Sequence, residues 1–221
     1  MKLIYKNMGH ILSFGEGYVN ELVVENRKMF FDLVGTVIRQ AEGEHGDCVL
    51  SIAEKPVEFS RYADVTVQFA PFRLNRKSLL TKLCSALEQR ALLAENYVKT
   101  GELVGEIERY ILYLAEDLPF EIDCQKIAIG PIIKAVSPEI EEEDKGTLEK
   151  IFAYMELVRE LDRDRLFIMI NMRTYFSDEE MERFAESACL HDFKVLLLES
   201  ASLPRLKNTK RYTVDEDLCE F

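Results

Sequence analysis

Two carboxylate-rich segments flank one predicted helix, and they contain the residue types that a calcium ion prefers. Calcium takes about six to eight oxygen ligands, mostly carboxylates and carbonyls, and irregular backbone at helix ends exposes carbonyls. Neither segment has the spacing of an EF-hand, so a solvated acidic surface remains the alternative. The carboxylates are Glu116, Asp117, Glu121 and Asp123 in a hinge segment, residues 116–123, and Glu139, Glu141, Glu142, Glu143 and Asp144 in an acidic loop, residues 137–144.

The same carboxylates do not predict a metal-dependent nuclease. Such an enzyme needs a compact acidic set, with a lysine or histidine, built onto a rigid sheet, whereas these acids occupy helix ends and loops. His10, His45 and His191 are widely separated, which argues against a zinc site. The five cysteines include no C-x-x-C pair and indicate reduced core residues. We therefore expect no catalytic site.

Basic residues on predicted helices are the candidates for contact with nucleic acid. Lys126 and Lys134 lie eight apart on a helix predicted at 124–136, so we expect them to share one face, and they are the preferred pair. Each basic residue taken alone is more typical of a solvent-facing charge than of a DNA contact. The net charge of −12 does not forbid DNA binding, because the local patch decides it. The other candidates are Arg76, Lys77, Lys82, Arg90 and Lys99, with Arg27 and Lys28 at the start of another helix.

The chain contains no phosphate-binding loop of a known pattern. Neither G-x-x-x-x-G-K-[ST] nor G-x-G-x-x-G occurs in it. The glycines of residues 9–17 offer the only candidate for an atypical loop, and no Gly-Lys-Ser/Thr follows them. A binding or assembly function is therefore favoured over an ATPase, which remains an alternative.

The last third of the chain has the pattern of a β-α-β unit. Residues 165–171 and 194–199 are short apolar runs, typical of strands buried on both faces. Between them, Ser177 with Glu180 three residues later predicts a capping box that starts a helix reaching about Leu190. This order predicts one crossover of a parallel sheet, the architecture of nucleotide-binding folds.

The first part of the chain is rich in predicted strands and contains one amphipathic helix. Asn26 is the predicted N-cap of that helix, at 27–42. In the strand predicted at 64–70, Val65, Val67 and Phe69 should point inward. The other predicted strands span residues 2–5, 10–14, 20–25 and 48–53.

A helical insertion, residues 74–146, should separate the two halves of one discontinuous α/β domain, residues 1–73 and 147–221. We expect Asn75 to cap a long helix at 76–99 and Gly101 to end it. Such an arm can serve oligomerisation or partner contact, or its apolar stripe can pack internally as a lid. The other helices are predicted at 102–116, 124–136 and 147–163.

The sequence predicts neither a membrane span nor a secretion signal. No apolar run has the length that crosses a bilayer, and the N-terminus reads as a first strand instead of a secretion signal. We therefore expect a cytoplasmic protein.

Three stretches resemble the Csn2 family of type II-A CRISPR adaptation proteins. They are the tail at 208–219 (NTKRYTVDEDLC), residues 62–72 (YADVTVQFAPF) before a leucine-rich helix, and the strands at 166–171 and 195–199 around Ser177-Asp-Glu-Glu. The resemblance extends over essentially the whole chain. Its motifs are structural, and none of them is catalytic.

This resemblance implies a fold and a function. The fold is an α/β head like a degenerate P-loop ATPase, with a mainly parallel sheet, interrupted by an all-helical leg. Family members form a ring-shaped homotetramer, bind double-stranded DNA ends in a positively lined hole and use Ca²⁺ to order the legs. They take part in spacer acquisition with the CRISPR integrase pair and the RNA-guided nuclease, and no catalytic activity is attributed to them.

The resemblance also ranks the candidate residues. Similar carboxylates lie at the hinge in relatives, which makes Glu121 and Asp123 the first expected calcium ligands, ahead of Glu116 and Glu142. In a ring of identical subunits, each basic residue would occur once per subunit around the central hole. The expected DNA contacts are Lys126, Lys134, Lys82, Arg90 and Lys28. A scaffold that docks other proteins is the remaining alternative.

Overall fold

The computed structural model describes residues 1–142 and 146–221, and the chain separates into two compact units. The head unit comprises Met1–Phe72 and Lys145–Phe221, and the leg unit comprises Arg73–Asp144. That these units are separate domains with boundaries at 73/74 and 146/147 stays a prediction. Two residues of the predicted acidic loop, Glu143 and Asp144, lie outside the described residues.

The head unit is a mixed α/β structure, and the leg unit is helical. The strands are β1 (Lys2–Tyr5), β2 (Ile11–Ser13), β3 (Val19–Val24), β4 (Cys48–Ile52), β5 (Lys55–Val57), β6 (Ala63–Thr66), β7 (Leu166–Ile170), β8 (Lys194–Glu199) and β9 (Thr209–Val214). The helices are α1 (Arg27–Ala41), α2 (Phe59–Tyr62), α3 (Lys77–Ala91), α4 (Ala94–Leu114), α5 (Ile129–Val136), α6 (Thr147–Leu161) and α7 (Asp178–Leu190).

A five-stranded parallel sheet in the order β6-β7-β8-β3-β9 forms the centre of the head unit. Strand β7 is buried along its whole length, as an interior strand covered on both faces must be. It pairs with β8 in parallel, with Leu166 opposite Lys194. Helix α7 connects the two strands, and Ser177 and Glu180 form the predicted capping box. The predicted crossover of a parallel sheet is confirmed.

A second, antiparallel sheet in the order β2-β1-β4-β5 packs on one face of the parallel sheet. The sequence predicted three of its strands one by one but not that they form a sheet of their own. Burying each large apolar side chain here stabilises the fold by about 1.5–3 kcal/mol. The shared core includes Leu3, Leu12 and Leu50 of the antiparallel sheet, Leu22, Ile168 and Leu198 of the parallel sheet, and Leu33 and Val37 of α1.

The predicted strand at 64–70 is too long. Strand β6 ends at Thr66 because its only sheet neighbour is β7, which itself ends at Ile170. Asn171 then adopts a left-handed conformation with φ 51°, so no ladder continues. Val67 is 50% exposed, contrary to the prediction that it points inward. Phe69 is buried, but it lies in the loop that follows the strand.

Two strands were not predicted, and both lie at sheet edges. Strand β5 contains Pro56, which lacks an N–H and is therefore tolerated only where a strand edge is free. Strand β9 has the polar sequence Thr-Lys-Arg-Tyr-Thr-Val and pairs with β3 on one side. Edge strands are exposed in part, so they lack the continuous apolar run that marks an interior strand.

Helices α3 and α4 of the leg unit differ from the prediction. The break falls at Leu92–Leu93, not at Gly101, which lies inside α4. Glycine costs about 1 kcal/mol relative to alanine in a helix interior, which is too little to end a helix of 21 residues. Asn75 is not the N-cap of α3: the N-cap is Arg76, without a side-chain cap bond.

The start of α5 also differs from the prediction, and Pro131 gives the reason. The helix begins at Ile129, so Pro131 is its third residue and its missing N–H falls among groups that have no intrahelical partner. A helix from Cys124, as predicted, would place the proline in the interior. There it would clash with the preceding turn and lose a hydrogen bond, at a cost of about 3 kcal/mol.

No helix in the described residues is both long enough and apolar enough to span a membrane.

Candidate functional site

The hinge segment of the leg unit brings two of the predicted calcium ligands to one place. Glu116 and Glu121 both line an open depression of about 480 Å³ at the end of α4, together with Pro119 and Phe120. Asp123 follows two residues later, is exposed and does not line the depression. Residues 121–127 precede the N-cap of α5 and are not helical, so their carbonyls are free of helix hydrogen bonds.

Side chains alone do not complete a metal site in this segment. Among residues 1–142 and 146–221, no group of three or more histidine, cysteine, aspartate or glutamate residues could hold a metal ion. A calcium ion here would need backbone carbonyls and water for most of its ligands, which is common for this hard cation. The donor chemistry of the hinge segment fits calcium better than a metal that prefers nitrogen or sulfur.

Glu142, the fourth predicted ligand, already accepts hydrogen bonds from backbone groups of the leg unit. Its carboxylate accepts hydrogen bonds from the backbone N–H of Leu74 at 2.9 Å and of Asn75 at 3.4 Å. The Asn75 amide pairs with the backbone of Ile140, accepting from its N–H at 2.8 Å and donating to its carbonyl at 3.0 Å. These contacts fasten the described part of the acidic loop to the start of α3.

The structure separates the preferred basic pair. Lys126 lies in the non-helical segment before α5, and Lys134 lies in the last turn of that helix. The prediction that both share one helix face is therefore wrong, because the helix begins at Ile129. Both side chains are exposed. Arg90 is exposed in the last turn of α3, and Lys82 is half-buried on the same helix.

Helix α5, which includes Lys134, packs tightly against α3. A Cβ added to Gly130 would collide with the carboxylate of Glu88, so a larger residue here would require that side chain to move. The Glu88 carboxylate thus lies beside the first turn of α5, where the partial positive charge of a helix N-terminus stabilises an anion. Lys28, the remaining DNA candidate, belongs to the other unit and is exposed in the first turn of α1.

Helix α4 has no buried residue, although much of its surface is apolar. Leu103, Ile107, Ile111 and Leu114 recur at helical spacing and are 37–59% exposed. A contiguous apolar surface of this kind is unusual on a monomer and marks an interaction site. Other exposed apolar residues of α4 are Tyr97, Val98, Tyr110, Leu112 and Tyr113.

A buried ionic cluster lies in the head unit, and its centre is Glu21 in the interior strand β3. The Glu21 carboxylate receives Nη1 of Arg173 at 2.7 Å and Nε of Arg211 at 2.8 Å. The side chains of Glu21 and Arg173 are 1% and 0% exposed. Arg173 also donates to Asp178 at 2.6 Å, at the first residue of α7. Buried charges require such partners, because leaving them unpaired costs several kcal/mol.

Glu199, at the end of β8, completes the cluster. Its Oε1 accepts the backbone N–H of Arg173 at 3.1 Å. Burial raises the pKa of Glu199 to about 7; the Arg173 N–H opposes this shift, and repulsion by Glu21 adds to it. Arg211 also donates from Nη1 to the carbonyl of Leu203 at 2.6 Å and from Nη2 to the carbonyl of Pro204 at 3.0 Å.

The cluster occupies the part of the sheet where α/β proteins usually bind ligands. Arg173 follows the carboxyl end of β7 and Glu199 ends β8, and ligands of open α/β sheets bind beyond such strand ends. Here ion pairs between protein groups occupy this position. The ion pairs join β3, β9 and the start of α7, and the hydrogen bond from the Arg173 N–H to Glu199 adds β8.

Neither the connection between β3 and α1 nor the predicted candidate, residues 9–17, has the geometry of a phosphate loop. Only Glu25 and Asn26 connect β3 to α1, and the Asn26 side chain caps α1 by accepting the N–H of Met29 at 3.0 Å. A phosphate at this helix start would compete with that cap. Residues 9–17 surround β2 of the antiparallel sheet, which leads to β3 and not to a helix.

This cluster was not predicted from the sequence, although the sequence contains a signal for it. Glu21 lies in Val-Asn-Glu-Leu-Val-Val, where every residue is buried, and Glu199 ends Lys-Val-Leu-Leu-Leu-Glu. A carboxylate within an apolar strand demands a cationic partner. The sequence does not say which of 28 lysines and arginines supplies it.

A family model and curated relatives of known sequence both match this chain and carry the same family name. A family model described as CRISPR-associated protein (Cas_Csn2) matches residues 40–218. A CRISPR-associated protein Csn2 of Enterococcus faecalis is 30% identical over 118 residues, 52% of either chain. One of Streptococcus agalactiae is 24% identical over 132 residues, 57% of this chain and 58% of the relative. The chain thus spans about half the length of the curated relatives that it matches.

A solved structure shares the fold. The crystal structure of Stu0660 of Streptococcus thermophilus superimposes with a TM-score of 0.56, covering 90% of this chain and 68% of that chain. The sequence identity is 14%, so this likeness concerns the fold alone.

Removing the central carboxylate should destabilise the head unit. We expect Glu21→Ala to lower the free energy of unfolding by about 3–5 kcal/mol, since Arg173 and Arg211 would keep buried charges without their shared partner. Urea unfolding of the full chain measures this loss. The matched control is Glu54→Ala, whose carboxylate forms an exposed ion pair with Lys2 and should matter little. Equal stability of the two variants would contradict the assignment.

Glu199 should make stability depend on pH. Its pKa in the fold, about 7, exceeds the ordinary 4.5, so folding disfavours the charged form. Stability should therefore fall as pH rises from about 4.5 to 7, by up to about 1.4 kcal/mol per unit, and then level off. We expect Glu199→Gln to remove this slope in urea unfolding between pH 5 and 8, whereas Glu186→Gln, at an exposed position of α7, keeps it. A slope that persists in Glu199→Gln would contradict this assignment.

Proposed function

The chain belongs to the CRISPR-associated Csn2 family, and we propose that it is a non-catalytic, ring-forming protein that binds double-stranded DNA ends during spacer acquisition. The observation that supports this most is the family match over residues 40–218. Spacer acquisition of type II-A gives adaptive immunity against phages and plasmids. The partners in this proposal are the CRISPR integrase pair and the RNA-guided nuclease.

The head unit supports a non-catalytic function by its chemistry. Glu21 is buried and paired with both Arg173 and Arg211, and Arg173 is also paired with Asp178, so Glu21 is not available as an acid, base or nucleophile. The two-residue connection from β3 to α1 lacks a phosphate loop. An ATPase would need backbone N–H groups and a cation around the phosphates.

Helix α4 supports assembly into a homotetramer. Its face of Leu103, Ile107, Ile111 and Leu114 is exposed in one chain. Removing such surface from water stabilises an interface by about 25 cal/mol per Å² of apolar area, before the cost of association. A scaffold that docks other proteins is the second candidate, since the same face could bind a different partner.

DNA binding in this proposal uses phosphate contacts from basic side chains. Exposed Lys126, Lys134 and Arg90 lie on the leg unit, with Lys82 on α3 and Lys28 on the head unit. Lysine contacts with phosphates release counterions and ignore base sequence, so binding should weaken steeply with salt. In a ring of four subunits, each of these residues occurs four times around one lumen.

Calcium in this proposal binds the hinge segment. Glu116 and Glu121 would hold the ion from the shared depression, with Asp123 and backbone carbonyls of residues 121–127 as further ligands. Its positive charge would relieve the repulsion among these carboxylates. Glu142 is the weaker candidate, because backbone N–H groups already bind its carboxylate.

Charge reversal tests the DNA contacts. We expect Lys126→Glu with Lys134→Glu to weaken binding to linear duplex by at least about tenfold and to reduce the salt dependence by about two phosphate contacts per subunit. Filter binding with linear and covalently closed circular duplex measures both effects, and closed circles should not be retained. Lys55→Glu, exposed on edge strand β5 of the head unit, is the control. Salt-resistant, equal binding to both DNA forms would exclude threading through a ring.

Neutralising the hinge carboxylates tests the calcium site. We expect calcium to stabilise the tetramer of the natural chain, as seen by native mass spectrometry, and Glu121→Gln with Asp123→Asn to abolish that effect. Asp47→Asn, in the head unit, should leave it unchanged. A tetramer that is indifferent to calcium in all three proteins would remove calcium from the proposal without affecting the DNA contacts.

A further inference from the structure

An open groove of about 670 Å³ runs between α6 and α7, wholly within the head unit. Aromatic side chains line much of it: Phe152 from α6, Tyr175 and Phe176 from the loop before α7, and Phe184 from α7. Nothing in the proposed DNA or calcium binding uses this groove. Its size is that of a typical ligand or peptide pocket.

The aromatic rings of the groove are held by packing behind them. Phe184 is 4% exposed and forms part of the floor. The ring of Phe152 stands edge-on to those of His191 and Phe193, at 4.9 and 5.3 Å between centroids. Tyr175 is 51% exposed, and its ring lies 5.6 Å from that of buried Phe69. A surface fixed in this way loses little entropy when it binds a ligand.

The rim of the groove is negatively charged. Among the described residues, its lining includes the carboxylates Glu149, Glu156 and Glu180 and the cation Arg183. Hydrogen bonds from the backbone and side chain of Ser177 lower the pKa of Glu180, so this carboxylate stays ionised at neutral pH. His191 lies 4.0 Å from Glu156 and adds positive charge only when it is protonated.

We propose that this groove docks a basic amphipathic segment of another protein, with an aromatic or aliphatic side chain on the aromatic floor and lysine or arginine side chains at the rim. The charge of the rim selects among occupants. Three carboxylates repel nucleic acid, and a second copy of this chain has a net charge of −12. A neutral small molecule would leave the rim charges unused.

This inference concerns a protein contact of the head unit and does not rest on DNA binding. Proteins that handle nucleic acid are often basic, which fits the expected chemistry of the partner. An apolar anchor in a pre-formed pocket usually contributes most of the binding energy, while charges at the rim set partner choice.

A titration with a model peptide tests the proposal. The probe is a fluorescently labelled helical peptide of leucine and lysine with one phenylalanine. A comparison peptide has glutamate in place of every lysine. Anisotropy with the full chain should show that the lysine peptide binds at least about tenfold more tightly. We expect Tyr175→Ser and Glu156→Lys each to weaken it by about fivefold or more, and Arg183→Ala to tighten it.

The control variant removes an apolar side chain elsewhere on α7. Leu190 is 78% exposed and does not line the groove, so Leu190→Ser should leave peptide affinity unchanged. Circular dichroism confirms that each variant is folded. Affinity that is insensitive to both Tyr175→Ser and Glu156→Lys would overturn the proposal, because binding would then reflect overall negative charge. A loss of self-association in Tyr175→Ser would also overturn it, in favour of a second copy as occupant.

Discussion

The charge of Glu21 is the constraint on which the rest of the head unit depends. This carboxylate lies in an interior strand where every residue is buried, so it must meet cations inside the protein. Arg211 reaches it from β9 and Arg173 from the loop after β7. Because Arg173 also holds Asp178, the position of helix α7 follows from the same charge. One residue thereby fixes two strands, a loop and a helix start.

That arrangement has a consequence for function. The carboxyl end of a parallel sheet offers open strand ends and helix starts, which nucleotide-binding proteins use for phosphates. In this chain, Arg173, Arg211 and Glu199 fill the corresponding position, and Asn26 caps the helix that follows β3. In the described residues, the connection after β3 thus holds a helix cap where a phosphate would otherwise bind. The proposed function is assigned instead to surfaces, namely the exposed face of α4, the basic residues and the aromatic groove.

The sequence predicted those parts of the fold in which local signals agree with tertiary packing. The crossover from β7 to β8 followed from two apolar runs and a capping box at Ser177. The end of β6 did not, because it depends on where its neighbour β7 ends. The break at Leu92–Leu93 has no glycine or proline to mark it. Pro131 is a sequence signal for the start of α5, but the helix predicted from residue 124 did not take it into account. The ionic cluster joins residues 152 and 190 positions apart, which no local pattern reveals.

The distribution of charge reconciles a net charge of −12 with a proposed DNA-binding function. Field strength near a surface is set by the nearest groups, since charges beyond about 8–10 Å are screened by salt. Lys126 and Lys134 are exposed on one unit, while Glu149, Glu156 and Glu180 surround the groove of the other. The sign of the potential that a ligand meets is thus set by these local groups and not by the net charge of a unit. An acidic protein can bind phosphates with one surface and a basic protein segment with another, because neither contact responds to the sum of all charges.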